Sequence, residues 1–182
     1  KDGDGLDAIE FIHSHCRITK DSVAGKRGEL LRLRDWQQLQ FYRLLARRAD
    51  GRRRHRVGLM GVPRKNGKSQ LAAGLALFEA DTGPGGGAVY CCAGSKEQAR
   101  IVFATAKQMV SLDGELASRV TPYQFELVWP ETDTKLIVVS SDAPLREGLN
   151  PTCVIFDEVH VQPNDELWDV MEQAMGAREE PM

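Results

Sequence analysis

The chain has 182 residues, a mass of 20.2 kDa and a formal net charge of −2, enough for about one domain on a scale of roughly 150 residues each. Its 42% hydrophobic and 27% charged residues place it among packed globular domains, away from the low-hydrophobicity regime of disorder. No apolar stretch nears the roughly 18 residues that cross a bilayer, and the charged N-terminal segment lacks the apolar block of a signal peptide, which sets membrane and secretion classes aside.

Leu6, Ile9, Ile12 and Cys16 recur on one helical face and predict a first helix from Leu6 to Cys16. After connecting residues 17–34, Asp35 can cap a second helix to about Ala49, with Leu39, Tyr42, Leu45 or Ala46, and Ala49 inward and the arginines outward. His55 to Gly61 reads as a short strand, and Gly67 to Ala80 as a helix rich in Ala and Leu. Ala88 to Ala93 reads as a buried strand, and Ser95 with Gln98 forms a capping-box pattern that opens a helix to about Val110. Gln124 to Trp129 and Thr134 to Ser140 flank Pro130-Glu131-Thr132-Asp133 and predict a hairpin. Thr152 to Phe156 is a fully apolar strand, and a helix is expected after Pro163-Asn164. Strands alternating with helices imply a parallel sheet covered on both faces. No repeat is visible, and Gly83-Pro84-Gly85-Gly86-Gly87 is a flexible turn.

Cys16, Cys91, Cys92 and Cys153 form no C-x-x-C pair and have no His at zinc-ligand spacing, so they read as buried thiols in a reducing compartment. A start at Lys1 and a stop at Met182 without a finishing element suggest a piece of a longer protein.

The near-zero net charge conceals two poles. Arg43, Arg47, Arg48, Arg52, Arg53, Arg54, Arg56, Arg64, Lys65 and Lys68 stand against one acid, Asp50, between Arg43 and Ser69; eight acids stand against Arg178 between Asp157 and Met182. A run such as Arg52-Arg53-Arg54 suits a solvated loop as well as a contact with nucleic-acid phosphate or a neighbouring subunit.

A strand, then Gly61-Val62-Pro63-Arg64-Lys65-Asn66-Gly67-Lys68-Ser69, then an apolar helix is the setting of a phosphate-binding loop. Backbone N–H groups and the helix N-terminus form a concave donor site for phosphate oxygens. Lys68 brings a point charge to the β- and γ-phosphates, and Ser69 is a Mg²⁺ ligand. The G-x-x-x-x-G-K-[ST] pattern asks for Gly at position 62, where this chain has Val62 and carries Gly61 one place earlier. Arg64 and Lys65 add cations where the γ-phosphate lies, and an Arg there can bond two phosphate oxygens, so Arg64 is a candidate for stabilising the transferring group.

Cys153-Val154-Ile155-Phe156-Asp157-Glu158 is an apolar strand running into two carboxylates, the Walker B arrangement. The carboxyl end of a parallel strand opens on the ligand crevice, so Asp157 is placed to hold Mg²⁺ and Glu158 to activate the attacking water. An isolated Asp-Glu pair also occurs as a plain helix cap; joint occurrence with the loop favours the chemical reading.

These residues resemble the ATPase domain of the large terminase subunit of tailed phages. The likeness is carried by Phe11-Ile12, Ala24-Gly25-Lys26-Arg27, Leu33-Arg34-Asp35-Trp36-Gln37, Pro63-Arg64-Lys65-Asn66-Gly67-Lys68-Ser69, Glu97-Gln98-Ala99, Glu147-Gly148-Leu149-Asn150-Pro151 and Phe156-Asp157-Glu158-Val159-His160. In that family the Val62 departure is ordinary. The resemblance implies an α/β P-loop NTPase fold of the ASCE type, with a mostly parallel central sheet, helices on both faces and an inserted β-hairpin. It implies a helical, adenine-contacting segment over about 1–54 and a Walker A to Walker B core over 55–182, with a nuclease domain and a coupling segment beyond this chain. The nucleotide site it implies comprises Trp36, Gln37, Pro63, Arg64, Lys65, Asn66, Gly67, Lys68, Ser69 and Gln70. Trp36 and Gln37 contact adenine; read without the family, Trp36 is core and Gln37 is a surface residue of a helix start. Ring ATPases of this kind take an arginine from a neighbouring subunit; Arg146 is the candidate, with Arg100 and Arg119 behind it. The activity implied is Mg²⁺-dependent ATP hydrolysis that drives double-stranded DNA into a procapsid in the host cytoplasm. The implied partners are DNA, portal protein, small terminase subunit and further copies in a ring. Asp157-Glu158-Val159-His160 also fits the D-E-x-H box of superfamily 2 helicases, so a helicase or restriction-type translocase is the nearest rival. A nucleic-acid-binding module using the arginine cluster, and a nucleotide kinase, stand further off.

Overall fold

The computed structural model describes residues 3–94, 96–140, 149–162, 164–176 and 178–182. In chain order the elements are α1 (Gly5–His15), α2 (Asp35–Leu44), α3 (Lys68–Thr82), β1 (Ala88–Ala93), α4 (Lys96–Leu112), α5 (Gly114–Arg119), β2 (Thr121–Pro122), β3 (Glu126–Trp129), β4 (Thr134–Ser140), β5 (Pro151–Phe156) and α6 (Glu166–Met175). A single 3₁₀ turn, Val159–Val161, lies between β5 and α6. The expected Ser95–Gln98 cap and Arg146 lie outside the described residues.

The sheet order is β2-β3-β4-β1-β5. β1 runs parallel to both β4 and β5, while β3 pairs antiparallel with β4 and with the short β2. The parallel centre and the antiparallel hairpin margin match the expected architecture. Alternation along β1 sends Val89 and Cys91 to one face and Tyr90 and Cys92 to the other. The first face is buried under α3 and α4, with α1 and α2 packed behind α3, and holds most of the core, including Ile12, Phe41, Leu71, Leu77, Met109 and Leu136. The second face is covered by α6 through Leu167 and Met171. All four cysteines are buried and unpaired, and burial pushes the Cys91 thiol up to about 12.

Two expected elements differ. Helix α2 stops at Leu44 rather than near Ala49, because the chain turns back at Asp50-Gly51. There Gly51 has φ +84°, the Arg48 N–H donates to the Arg52 carbonyl at 2.8 Å, and Arg47 bridges antiparallel to Arg53. The expected strand His55–Gly61 forms no ladder: residues 55–63 run outside the sheet, with Val57 59% and Leu59 90% exposed. The outer edge of β5 instead takes Met182, whose N–H donates to the Thr152 carbonyl at 3.0 Å and whose carbonyl accepts from the Val154 N–H at 2.6 Å. Between β5 and residues 56–62 lies a cleft of about 810 Å³ that runs to Lys68, Asp157 and Glu158.

Candidate active site

The phosphate loop is a tight turn between the extended segment and α3. Lys65 (φ +66°) and Gly67 (φ +79°) are both left-handed. Gly tolerates that conformation, whereas a Lys there is strained by about 1–3 kcal/mol. The Asn66 amide holds the turn by donating to the Pro63 and Arg64 carbonyls at 3.1 and 3.3 Å. The first intrahelical bond joins the Leu71 N–H to the Gly67 carbonyl at 3.0 Å. The N–H groups of Lys68, Ser69 and Gln70 therefore face outward from the positive end of α3 with no helical acceptor. That is the donor array an anion needs.

The carboxylates arrive from β5. The Asp157 N–H donates to the Cys92 carbonyl at 3.0 Å, extending the parallel ladder one step past Phe156. Asp157 is thereby fixed at the strand end, only 7% exposed. Glu158 then turns left-handed at φ +50° and donates its N–H to Asp157 Oδ1 at 3.0 Å. Lys68 Nζ joins both: it lies 3.1 Å from Asp157 Oδ1 and donates to Glu158 Oε1. Burial works to lower the Lys68 pKa, but the hydrogen bonds to Glu158 and Asp157 outweigh it and raise it. The Lys68 hydrogen bond holds the Glu158 carboxyl below its ordinary value, with smaller contributions from His160, 3.3 Å away, and Arg64. Lys68 thus occupies the position between helix and strand end where a phosphate would compete for it.

Ser69 and Asp157 are the expected Mg²⁺ residues. Ser69 stands half-buried in the first turn of α3, and Asp157 keeps its Oδ2 free of hydrogen bonds among the described residues. Among those residues no group of three or more His, Cys, Asp or Glu could hold an ion alone. One hydroxyl and one carboxylate fit Mg²⁺, which retains waters and takes further ligands from phosphate.

Trp36, in the first turn of α2 and partly buried against the main core, lines a second cavity of about 440 Å³ together with Gln40, Leu59, Met60, Gly61, Val62, Pro63 and Asn66. Gln37 makes two hydrogen bonds within the chain. Its Oε1 accepts from the Arg34 N–H at 2.8 Å, and its Nε2 donates to the Asn66 carbonyl at 3.3 Å. The side chain caps α2 and ties it to the phosphate loop. Arg64 and Lys65 are exposed on the loop, and Gln70 lies beside Gly67 in the first turn of α3.

The other arginine candidates are engaged elsewhere. Arg119 pairs with Asp81 at 2.9 Å and Glu115 at 2.9 Å. Asp81 sits thirteen residues along α3 from Lys68, roughly 20 Å at 1.5 Å per residue. Arg100 lies over the Phe125 ring at 5.1 Å. Within the basic stretch Arg47 pairs with Asp4 at 2.6 Å and Arg53 with buried Glu79 at 2.7 Å. Arg43, Arg48, Arg52, Arg54 and Arg56 are exposed, and none has an ion-pair partner among the described residues. Sequence reading passed over Gln40 and gave His160 no role beside Glu158. Gln40 was legible in principle, since it follows Trp36 by four residues and Gln37 by three, on one face of the helix.

The family described as "Terminase large subunit, ATPase domain" matches residues 35–182. The "Terminase, large subunit" of Enterobacteria phage HK97 is 29% identical over 188 residues, covering 98% of this chain and 35% of that protein. The crystal structure of the HK97 bacteriophage large terminase superposes with a TM-score of 0.83 at 27% identity, over 98% of this chain and 36% of that one. The large terminase ATPase domain of Thermus phage P74-26 shares the fold, with a TM-score of 0.52 at 24% identity over 64% of this chain and 53% of that chain. The chain spans 35% of the length of the curated relative it matches. The helicase and translocase rivals give way to these matches. A correspondence that starts at α2 and runs through the phosphate loop and β5 to Met182 leaves one assignment: the chain belongs to the family of terminase large subunit ATPase domains.

Proposed function

We propose that this domain hydrolyses ATP to drive double-stranded DNA into a procapsid, as the motor part of a large terminase. The observation that carries the reading is the meeting of Lys68 with Asp157 and Glu158 where the N-terminus of α3 faces the end of β5. The free N–H groups of the loop and of α3 bind the phosphates, and Lys68 leaves its carboxylate partners for the β- and γ-phosphate oxygens. Glu158, freed from Lys68, accepts a proton from the water that attacks the γ-phosphorus, as the bond to the ADP oxygen breaks. Ser69 and Asp157 would hold Mg²⁺, which when bound offsets negative charge on the phosphate oxygens. Arg64 contributes positive charge to the transferring group, and Arg146 is assigned to a neighbouring subunit's site. Portal protein, small terminase subunit and further copies in a ring on the procapsid, in the host cytoplasm, are the proposed partners and setting; cleavage of DNA is assigned to a nuclease domain outside residues 1–182.

Glu158→Gln tests the core of this reading. Removing a general base lowers turnover about 10²–10⁴-fold. Because the amide still fills the site, ATP binding persists. Lys68→Ala is expected to weaken both binding and turnover. Steady-state hydrolysis beside equilibrium nucleotide binding separates the two variants, and a Glu158→Gln protein with full turnover sinks the mechanism.

A further inference from the structure

The arginine stretch between α2 and the cleft has no part in the chemistry above. After α2 the chain folds into a hairpin over residues 46–54. The Arg54 N–H donates to the Ala46 carbonyl and the Arg48 N–H to the Arg52 carbonyl, both at 2.8 Å, and the Gly51 N–H closes the turn on the Arg48 carbonyl at 2.9 Å. Arg47 stands opposite Arg53. Since neighbours along a strand point to opposite faces, these two share one face of the hairpin while Arg48, Arg52 and Arg54 share the other. The first face is tied down: Arg47 pairs with Asp4 at 2.6 Å, and Arg53 forks onto Glu79 and donates its backbone N–H to Glu180. The second face is open. Arg48, Arg52 and Arg54 are exposed and have no ion-pair partner among the described residues. Asp50, the one acid of the stretch, accepts the Arg52 N–H at 3.0 Å inside the turn.

Residues facing each other across such a hairpin lie about 5 Å apart, and next-but-one neighbours along it about 6.6 Å. Three guanidinium groups at that spacing repel one another unless anions sit among them. No lysine occurs between Arg43 and Arg56, and the planar fork of arginine can bond two phosphate oxygens at once. The acidic surface of a second copy is a poorer match: α6 exposes Glu166, Asp169 and Glu172, three carboxylates over about 9 Å of helix. Duplex DNA carries one negative charge per about 1.7 Å of its axis. We infer that the open face of the hairpin, formed by Arg48, Arg52 and Arg54, grips the phosphate backbone of a nucleic-acid duplex without reading its sequence. The inference rests on the DNA reading under the proposed function and gives that partner a surface. The hairpin runs on into residues 56–62, which wall the nucleotide cleft, and Arg53 fixes it to α3 through Glu79. The duplex contact is thereby joined to both segments that flank the phosphate loop.

Binding of a short fluorescent DNA duplex to the chain, followed by anisotropy as salt is raised, tests it. On logarithmic axes affinity falls with salt by a slope of about 0.9 per phosphate contacted. The triple variant Arg48→Gln, Arg52→Gln, Arg54→Gln is expected to have a slope shallower by about 2.7, so that wild type loses roughly 40-fold more affinity than the variant between about 50 and 200 mM salt. Duplexes of unrelated sequence should give the same slopes. A control variant, Lys20→Gln, Arg27→Gln, Arg32→Gln, removes the same charge from exposed positions between α1 and α2 and should keep the wild-type slope. Equal slopes in wild type and hairpin variant, or an equal loss in the control, overturn the inference. So does a hairpin variant that keeps DNA binding but loses self-association in sedimentation velocity, which gives the face to the acidic surface of a second copy. No duplex binding by wild type at about 50 mM salt removes the DNA reading together with the inference, whereas a hairpin variant that binds as wild type does removes the inference alone. Should the triple variant fail to fold, Arg48→Gln and Arg54→Gln singly, each expected to lower the slope by about one, carry the test.

Discussion

The end of the cleft proposed to take phosphate and the end proposed to take the base are built in different ways. Lys68, Asp157 and Glu158 stand on a helix terminus and a strand end, and Asp157 is locked by a ladder bond to Cys92. The base end is walled by residues 58–62, which make no ladder bonds among the described residues and leave Leu59 90% exposed. Phosphoryl transfer depends on charges held to fractions of an ångström, so its residues sit on regular elements. Base recognition depends on shape and one hydrogen-bonding edge, and an extended segment pinned at intervals suffices. Gln37 joins the two ends, which makes the loop's position depend on both.

The pins can be broken selectively. Arg53 anchors the chain leading into the base wall: its guanidinium forks onto Glu79 at 3.0 and 2.7 Å, with Glu79 4% exposed, and its backbone N–H donates to Glu180. Glu79→Ala would leave Arg53 buried without its partner, a loss of about 3–5 kcal/mol by the usual cost of breaking a buried pair. Urea unfolding would measure it. A variant within about 0.5 kcal/mol of wild type would show that the base wall is not held there.

The phosphate end should respond in the opposite sense, in rate rather than stability. Arg64 is exposed, and its charge acts on Glu158. Arg64→Ala is expected to lower kcat about tenfold, on the scale of lost charge stabilisation, and to shift unfolding by no more than about 0.5 kcal/mol. Unchanged turnover would remove Arg64 from the site's chemistry.

The same contrast explains what was legible in the sequence. Elements defined by their own composition came through: Ala88–Ala93 matches β1 residue for residue, and Thr134–Ser140 matches β4. Lys68, Asp157 and Glu158 meet because loop and strand end are local patterns that the parallel sheet brings together. The failures lie where a long-range partner decides. Residues 55–61 carry strand-like side chains, but a strand exists only with a ladder, and the β5 edge is taken by Met182. The early end of α2 follows from the Asp50-Gly51 turn, which the apolar periodicity through Ala46 and Ala49 masked. The bond between Gln37 and the loop was not legible either, because its partner, Asn66, is 29 residues away.

The smallest expected effect concerns α1 and the segment that leads from it into α2. His13, on α1, accepts the Leu33 N–H at Nε2, at 3.0 Å, and so holds the strap that leads into α2 and Trp36. Only a neutral imidazole has that lone pair. Burial first, and the Arg32 charge second, lower the His13 pKa from its ordinary value. The unfolded chain therefore takes up the proton before the folded one as pH falls. The stability this histidine contributes is complete above its unfolded value of about 6.5 and is lost progressively as pH drops below it, until the folded form also protonates. His13→Gln retains a side-chain acceptor that does not titrate, so its stability should fall less than that of wild type between about pH 7 and pH 5.5. Paired urea titrations at the two pH values measure the difference, and parallel losses in both proteins would assign the acid sensitivity to other groups.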